Sequence, residues 1–215
     1  CDFHFSTSKQ RDPVLDAMEL ELLRRSREAG DAPMGTIYFG GGTPSLLAPE
    51  RIAAFIQQAR DLFRVERDAE ITLEANPDDI QQAIWKQAED AGMRSKLIRV
   101  MSLAAASRSV ARGDNTAQRL EAWKTAGITR ISLGTQSFRD ERLAWMGRAH
   151  DARQALASIG LIARAGFATW TIDLIYGLPG MTLTEWDEQL TIALDHGMPH
   201  LSAYCLTVEA RTALA

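Results

Sequence analysis

The sequence predicts an α/β fold built on a parallel β-sheet, and two observations lead to that prediction. Short apolar segments with strand character alternate with helical segments at least five times, as in strands joined by helical crossovers. Polar residues and glycines follow the predicted strands directly, and the ends of parallel strands share one edge, where ligands bind. Because an open doubly wound sheet and a barrel share this alternation, the residues alone leave both architectures open.

Hydrophobic spacing and breaker residues place the elements along the chain. The predicted helices cover residues 13–29, 49–63, 120–126, 152–163 and a segment that begins at 182. The predicted strands, short and apolar as expected for burial on both faces, are 37–39, 70–74, 129–136, 169–176 and 201–206. A turn is predicted at 76–79. Three tryptophans at helical spacing are expected in the core: Trp123, Trp145 and Trp186.

Composition describes an ordinary globular domain. The 215 residues are 46% hydrophobic and 24% charged, with a net charge of −4 and both signs mixed, so no basic surface for nucleic acid is indicated. No apolar segment approaches the roughly 20 residues of a membrane span. Two cysteines are too few for a disulfide framework, which favours a cytoplasmic location. The chain begins with Cys1 and ends without a closing element, and we interpret it as a fragment cut at both ends.

Three consecutive glycines end the first predicted strand. Gly40, Gly41 and Gly42 precede Thr43 and Pro44, which turn the chain. Residues without a Cβ leave the backbone bare, so that its N–H and C=O groups can approach a ligand closely. The alternative is a loop that merely requires positive φ angles. The other strand ends bear on the choice between these interpretations.

Two carboxylates occur at or within later strands. Glu74 ends the second strand, where it could bond a ribose or an ammonium group or, alternatively, a helix N-terminus. Asp173 interrupts the apolar strand 169–176. A buried carboxylate is costly unless it is bonded, and either a ligand or the neighbouring backbone could supply that bond.

Further polar candidates lie close to strand ends. Gln136 ends the third strand with a side chain that both donates and accepts hydrogen bonds. Arg148 could reach an anion, with a surface salt bridge as the alternative. Among the histidines only His150 lies near such residues, and a structural role is favoured for it over metal or heme ligation.

Seven segments occur in an order that, taken together, is specific. They are Cys1-Asp-Phe, Phe39-Gly-Gly-Gly-Thr-Pro-Ser45, Leu73-Glu-Ala-Asn-Pro-Asp78, Arg130-Ile-Ser-Leu-Gly-Thr-Gln-Ser-Phe138, Gly147-Arg148, Ile172-Asp-Leu-Ile-Tyr-Gly-Leu-Pro179 and Leu201-Ser-Ala-Tyr204. The set resembles the radical S-adenosylmethionine (SAM) core of the oxygen-independent coproporphyrinogen III oxidase family. The resemblance extends over nearly the whole chain except about residues 80–118.

This resemblance implies a partial TIM barrel of the radical SAM type, (β/α)6, truncated here at both ends. It also implies a 4Fe–4S cluster held by a C-x3-C-x2-C loop, and SAM that is cleaved to a 5′-deoxyadenosyl radical. By motif, Cys1 corresponds to the third cluster ligand, and the first two would precede residue 1. The residues that correspond to SAM contacts are Gly41, Gly42, Thr43, Glu74, Gln136, Arg148, Asp173 and Thr207.

Two branches of that family differ in function. The oxidases decarboxylate two porphyrinogen propionates and carry a further cysteine two places after the third ligand, where this chain has Phe3. The HemW branch binds heme and transfers it to acceptor proteins. Phe3 and the ending Ser202-Ala-Tyr204 resemble the HemW branch, so a heme chaperone is the favoured function and a coproporphyrinogen dehydrogenase the alternative.

Residues 80–118 are longer than the single short helix that the family has between these strands. The extra length could be a duplicated βα unit, a surface insertion or an error in the gene model, and the residues leave these three open. We interpret the whole of 1–215 as one radical SAM core domain with an insertion at about 80–118, and we expect the insertion to pack outside the barrel. A strand formed by 97–103 between two barrel strands would contradict that expectation.

Overall fold

The computed structural model describes residues 12–28, 30–81 and 115–207. Five strands and six helices with both ends in these ranges alternate along the chain. The helices are α1 (Asp12–Arg25), α2 (Pro49–Leu62), α3 (Asn115–Thr125), α4 (Asp140–Trp145), α5 (Ala152–Ala165) and α6 (Leu183–Asp195). The strands are β1 (Met34–Phe39), β2 (Val65–Ala75), β3 (Arg130–Gln136), β4 (Thr169–Tyr176) and β5 (His200–Cys205).

All neighbouring strands in the sheet are parallel and follow the order β1-β2-β3-β4-β5. A doubly wound sheet reverses its strand order at a switch point, whereas a barrel adds each strand beside the preceding one. The uninterrupted order therefore selects the barrel from the two architectures that the sequence left open. The predicted α/β class is confirmed, and the described strands form part of a barrel wall.

The core lies between the sheet and the helices. Its fully buried residues include Ile52 on α2, Trp123 on α3, and Ile159 on α5. The strands contribute every second residue, because successive side chains of a strand point to opposite faces. Those contributed by the strands include Ile71, Leu73, Ile131, Leu133, Ile172 and Leu174. Of the three tryptophans expected in the core, Trp123 is fully buried and Trp186 packs against the core, whereas Trp145 is 41% exposed.

The first residues of α6 form half of a capping box. The spacing of Thr182 and Glu185 is that of a capping box, and Thr182 Oγ1 accepts a hydrogen bond of 3.1 Å from the Glu185 N–H. The Glu185 carboxylate binds Arg142 of α4 through two hydrogen bonds, Nε–Oε1 at 2.8 Å and Nη2–Oε2 at 2.7 Å. Arg142 also donates to the Pro179 carbonyl at 2.9 Å. This part-buried ion pair joins α4 to α6.

Two local predictions differ from the structure. The turn predicted at 76–79 is the start of a helix, because residues 77–81 are helical and Asp79 accepts a hydrogen bond of 3.2 Å from the Asn76 N–H. Helix α4 was not predicted, since six residues are too few to show helical spacing.

β2 and β3 are hydrogen-bonded directly to each other over four residue pairs. Residues 97–103 and most of the predicted insertion at 80–118 lie outside the described residues, so its status as an insertion stays a prediction. No helix within the described ranges is long and apolar enough to cross a membrane.

Candidate functional site

The two faces of the sheet differ in chemistry. One face carries the core side chains, and the face turned away from the helices, here called the inner face, is lined by polar groups. The inner face includes Tyr38 of β1, Glu74 of β2, Ser132 of β3, Asp173 of β4 and Ser202 of β5. The predicted burial on both faces holds for Thr72, Ser132 and Thr171, but the inner face is polar where the sequence predicted apolar strands. A polar inner face at the carboxyl ends of parallel strands is where a barrel binds its ligands.

The glycine turn after β1 leaves its backbone open on the ligand side. Gly41 and Gly42 have φ angles of +78° and +62°, a region that favours glycine. A Cβ built at either residue would meet no atom within 4 Å. Gly40 is different, because a Cβ there would lie 2.5 Å from Cε1 of Tyr38. Thr43 then begins a short 3-10 turn (Pro44–Leu46). The positive φ angles confirm that the turn requires glycine, and the ligand-binding role of its backbone stays a prediction.

Glu74 is bound to the glycine turn from the neighbouring strand. Its Oε2 accepts a hydrogen bond of 2.9 Å from the Gly41 N–H, and its Oε1 accepts one of 2.8 Å from the Tyr38 hydroxyl. Burial and then the bond to Glu74 raise the pKa of Tyr38 to about 12, so this hydroxyl remains a donor at neutral pH. The sequence analysis missed Tyr38. Because residues two apart in a strand share a face, Tyr38 lies on the same face as Gly40, the inner face.

Asp173 lies on the same face and has hydroxyl groups as its partners. Ser132 Oγ lies 3.3 and 3.2 Å from the two carboxylate oxygens. Burial raises the pKa of Asp173, hydrogen bonds from Ser132 and Ser202 oppose that change, and the charge of Glu74 adds to it. No salt bridge to Asp173 occurs in the described part of the chain. The sequence left open either a ligand or the neighbouring backbone as the hydrogen-bond partner of Asp173. Within the described residues, no backbone group bonds its carboxylate.

Gln136 ends β3 in an unusual conformation. Its φ of +66° makes it the one non-glycine residue with positive φ among those described. Its side chain approaches Gly134, where a Cβ would lie 2.9 Å from Gln136 Nε2 and 3.0 Å from Asn76 Oδ1. Backbone strain of this kind concentrates at functional sites and persists only when the surroundings enforce it.

Arg148 follows α4 and is half-buried. Burial lowers the pKa of its guanidinium, and the charge of Asp78 opposes that shift. Within the described ranges Arg148 forms no salt bridge, so the predicted alternative of a surface ion pair is not found there. A half-buried cation without a bound anion is electrostatically suited to an anionic ligand group.

The remaining predicted residues are not brought into this cluster. Thr207 is exposed and lies beyond the end of β5. Cys1 and Phe3 lie outside the described residues, so the cluster ligand assigned to Cys1 stays a prediction. Within 12–28, 30–81 and 115–207, no group of three or more His, Cys, Asp or Glu side chains is arranged to hold a metal ion.

Comparison with known proteins agrees with this geometry. The family model described as "Radical SAM superfamily" matches residues 1–191. The chain therefore belongs to the radical SAM superfamily, whose domain binds a 4Fe–4S cluster and SAM.

Within that superfamily the chain is similar to proteins named heme chaperone HemW. It is 31% identical over 222 residues to the protein of Haemophilus influenzae, and 34% identical over 220 residues to that of Mycobacterium tuberculosis. Each match covers all of this chain but only 49% and 47% of the relative. The chain thus spans about half the length of the curated relatives it matches.

The fold is shared with a solved radical SAM enzyme. Coproporphyrinogen III oxidase HemN of Escherichia coli superposes with a TM-score of 0.66 and 24% identity, covering 93% of this chain and 39% of that chain. At this identity the likeness concerns the fold alone, and it confirms the predicted partial barrel of the radical SAM type. The resemblance drawn from the sequence motifs is likewise confirmed by the family model and the relatives.

Proposed function

We propose that this chain is the radical SAM core of a HemW-type heme chaperone. The observation that carries the proposal is the inner-face site at the carboxyl ends of the strands. It combines the open backbone of Gly41 and Gly42 with Glu74 and Asp173, two carboxylates that form no salt bridge within the described residues. Arg148 adds a half-buried cation that likewise has no ion-pair partner in those ranges.

These groups complement the methionine part of SAM, which carries one ammonium and one carboxylate group. Glu74 suits the ammonium group and Arg148 suits a carboxylate, while the exposed Gly41–Gly42 turn beside Glu74 leaves room for the ligand to approach. Asp173, Gln136, Thr43 and Thr207 are assigned polar contacts to SAM. When bound, the cluster and SAM supply a 5′-deoxyadenosyl radical, and Cys1 is assigned as one of the cluster ligands. The chain's own contribution is to bind and orient the cofactor.

Heme enters the proposal through the relatives. The proteins named heme chaperone match this chain along its entire length, at 29–34% identity in bacteria. We infer heme as the cargo and heme-acceptor proteins as the partners, in the cytoplasm. The coproporphyrinogen dehydrogenase alternative shares the fold and the cofactors, and the two functions differ in what happens to the porphyrin.

The test uses the full-length protein with its flanking sequence, reconstituted anaerobically with iron and sulfide. Absorbance near 400 nm reports the cluster, and titration with SAM and then with heme gives the two affinities. Incubation with coproporphyrinogen III, SAM and dithionite tests the alternative. We expect a cluster, SAM binding, tight heme binding and no decarboxylated product.

Two results would overturn the proposal in different ways. Decarboxylated porphyrinogen would assign the oxidase function to the same site. Absence of a cluster or of SAM binding, with all three cysteines present, would reduce the assignment to a shared fold.

A further inference from the structure

His150 is a buried histidine whose two ring nitrogens both face acceptors. The residue is only 4% exposed, its Nε2 lies 3.1 Å from the Thr135 carbonyl oxygen, and its Nδ1 lies 3.5 Å from Asp78 Oδ1. Because a carbonyl oxygen only accepts, Nε2 must carry a proton and donate it to Thr135. The ring therefore connects the end of β3 to the helical turn that follows β2.

The carbonyl that His150 binds closes a tight turn around Gln136. The same oxygen accepts a hydrogen bond of 2.8 Å from the Ser137 N–H, two residues further on. A bond between residues i and i+2 around a residue with φ of +66° has the features of a classic γ-turn, which is rare and strained. Gln136, the central residue, needs support from outside the turn to remain in this conformation.

That support comes from two sides. Gln189 of α6 holds the following residues, because its Oε1 accepts hydrogen bonds of 2.6 Å from the Phe138 N–H and 3.2 Å from the Ser137 hydroxyl. His150 holds the preceding carbonyl. Asp78 faces the other ring nitrogen, and the bond between them lowers the pKa of Asp78, so the ring lies beside a carboxylate that remains ionised at neutral pH. Asp78 thereby orients the ring that supports the turn.

We propose that His150 is a positioning residue that maintains the γ-turn at Gln136 and thereby directs the Gln136 side chain toward SAM. The first half of this statement concerns the chain alone, and the second half rests on the proposed function. Nothing in the proposal requires His150 to touch SAM or a metal. The two halves are tested by separate measurements.

The turn itself is tested by unfolding. Glycine adopts positive φ without strain, so Gln136→Gly removes the strain from the turn. We expect His150→Asn to lower the urea midpoint in both backgrounds, and by less in the wild-type background, because the unsupported turn can open there and release the strain at Gln136. An equal loss in both backgrounds would show that His150 stabilises the fold without acting on the turn. This experiment gives its answer whether or not SAM binds.

The second part of the proposal, the effect on SAM binding, is tested by comparing two polar variants of the cluster-loaded, full-length protein. His150→Gln retains an N–H near the Nε2 position and can still donate to Thr135, whereas His150→Asn retains only the group near Nδ1. We expect the SAM Kd to stay within threefold of wild type for His150→Gln and to rise at least tenfold for His150→Asn. Equal affinities in the two variants would overturn the positioning role.

A double variant connects the effect to Gln136. If His150 acts through that side chain, His150→Asn should weaken SAM binding less than threefold when Gln136→Ala is already present. A full tenfold loss in that background would overturn the proposal. Failure of the wild type to bind SAM would instead contradict the proposed function, and the unfolding result would stand.

Discussion

The molecule contains two regions of buried charge that are organised in opposite ways. Between α4 and α6, Arg142 and Glu185 bind each other through two hydrogen bonds, which lowers the pKa of Glu185 and raises that of Arg142. On the inner face of the sheet, the hydrogen-bond partners of Asp173 among the described residues are hydroxyl groups, and burial raises its pKa. The first region is complete in itself, whereas the second is favourable only when another group compensates the charge. We infer that the first serves stability and the second serves binding.

The largest effect on stability is expected from breaking the ion pair between Arg142 and Glu185. Arg142→Met should lower the free energy of unfolding by about 3 kcal/mol, because it leaves the buried Glu185 carboxylate without its cation. The matched control is Arg139→Met, which breaks the more exposed pair with Glu188 and should lower stability much less, because solvent screens exposed ion pairs. Urea unfolding followed by circular dichroism measures both. Equal losses would mean that burial does not distinguish the two pairs.

The next largest effect is expected on SAM binding at the inner face of the sheet. Asp173→Asn keeps the size of the side chain and removes its charge, so we expect the SAM Kd to rise at least tenfold while stability is unchanged or greater. The control is Asp187→Asn on the exposed surface of α6, which should alter neither quantity. Isothermal titration and thermal melts provide the two readouts. A large loss of stability in Asp173→Asn would assign this carboxylate to the fold.

The same contrast should appear in the pH dependence of stability. The pKa of Asp173 is raised in the folded protein, so between its unfolded value of about 3.9 and the folded value the folded state binds more protons. Stability should therefore fall as the pH rises through that window, and the fall should be absent in Asp173→Asn.

Asp78 should change stability with pH in the opposite direction, because its folded pKa is lowered, chiefly by the bond to His150. Its contribution is present above about pH 3.9 and is lost as the pH falls through the folded value. Asp78→Asn should therefore cost stability at pH 7, and this cost should shrink in acid. Melting temperatures from pH 3 to 7 measure both variants, and slopes of the same sign would contradict the assignment.

The smallest effect is expected at Tyr38. Tyr38→Phe removes one of the two hydrogen bonds to Glu74, and the Gly41 N–H retains the other. Because the tyrosine is half exposed, we expect the free energy of unfolding to fall by less than about 1 kcal/mol. The SAM affinity should weaken about threefold. Tyr204→Phe, at another exposed tyrosine, is the control. A tenfold loss would make Tyr38 a direct contact of the ligand.

The elements were predictable where the signal is local. The strand predicted at 169–176 is β4 with the same bounds, and the glycine turn and Glu74 lie together as strand ends in a parallel sheet should. Partners across strands were not predictable, because the contact between Ser132 and Asp173 depends on which residues of β3 and β4 pair. A single sequence does not contain that register.

The polar inner face also escaped the sequence analysis for a physical reason. Thr72, Ser132 and Thr171 are buried, yet they are small and interrupt the apolar strands only slightly. Such strands resemble those covered by helices on both faces. The left-handed φ of Gln136 leaves no trace in the sequence at all, since the side chains that bond its neighbours Thr135 and Phe138 come from elements that follow it in the chain.

The three glycines after β1 have different reasons for being glycine, and this has a consequence for how the turn can vary in evolution. Gly40 is constrained by its neighbours, because a methyl group there would require the half-exposed Tyr38 ring to move. Gly41 and Gly42 have room beside them and are fixed by backbone geometry. Asparagine, which tolerates that geometry best among the other residues, is the replacement we expect natural variants to show at 41 or 42, whereas a replacement at 40 should be accompanied by a change at 38.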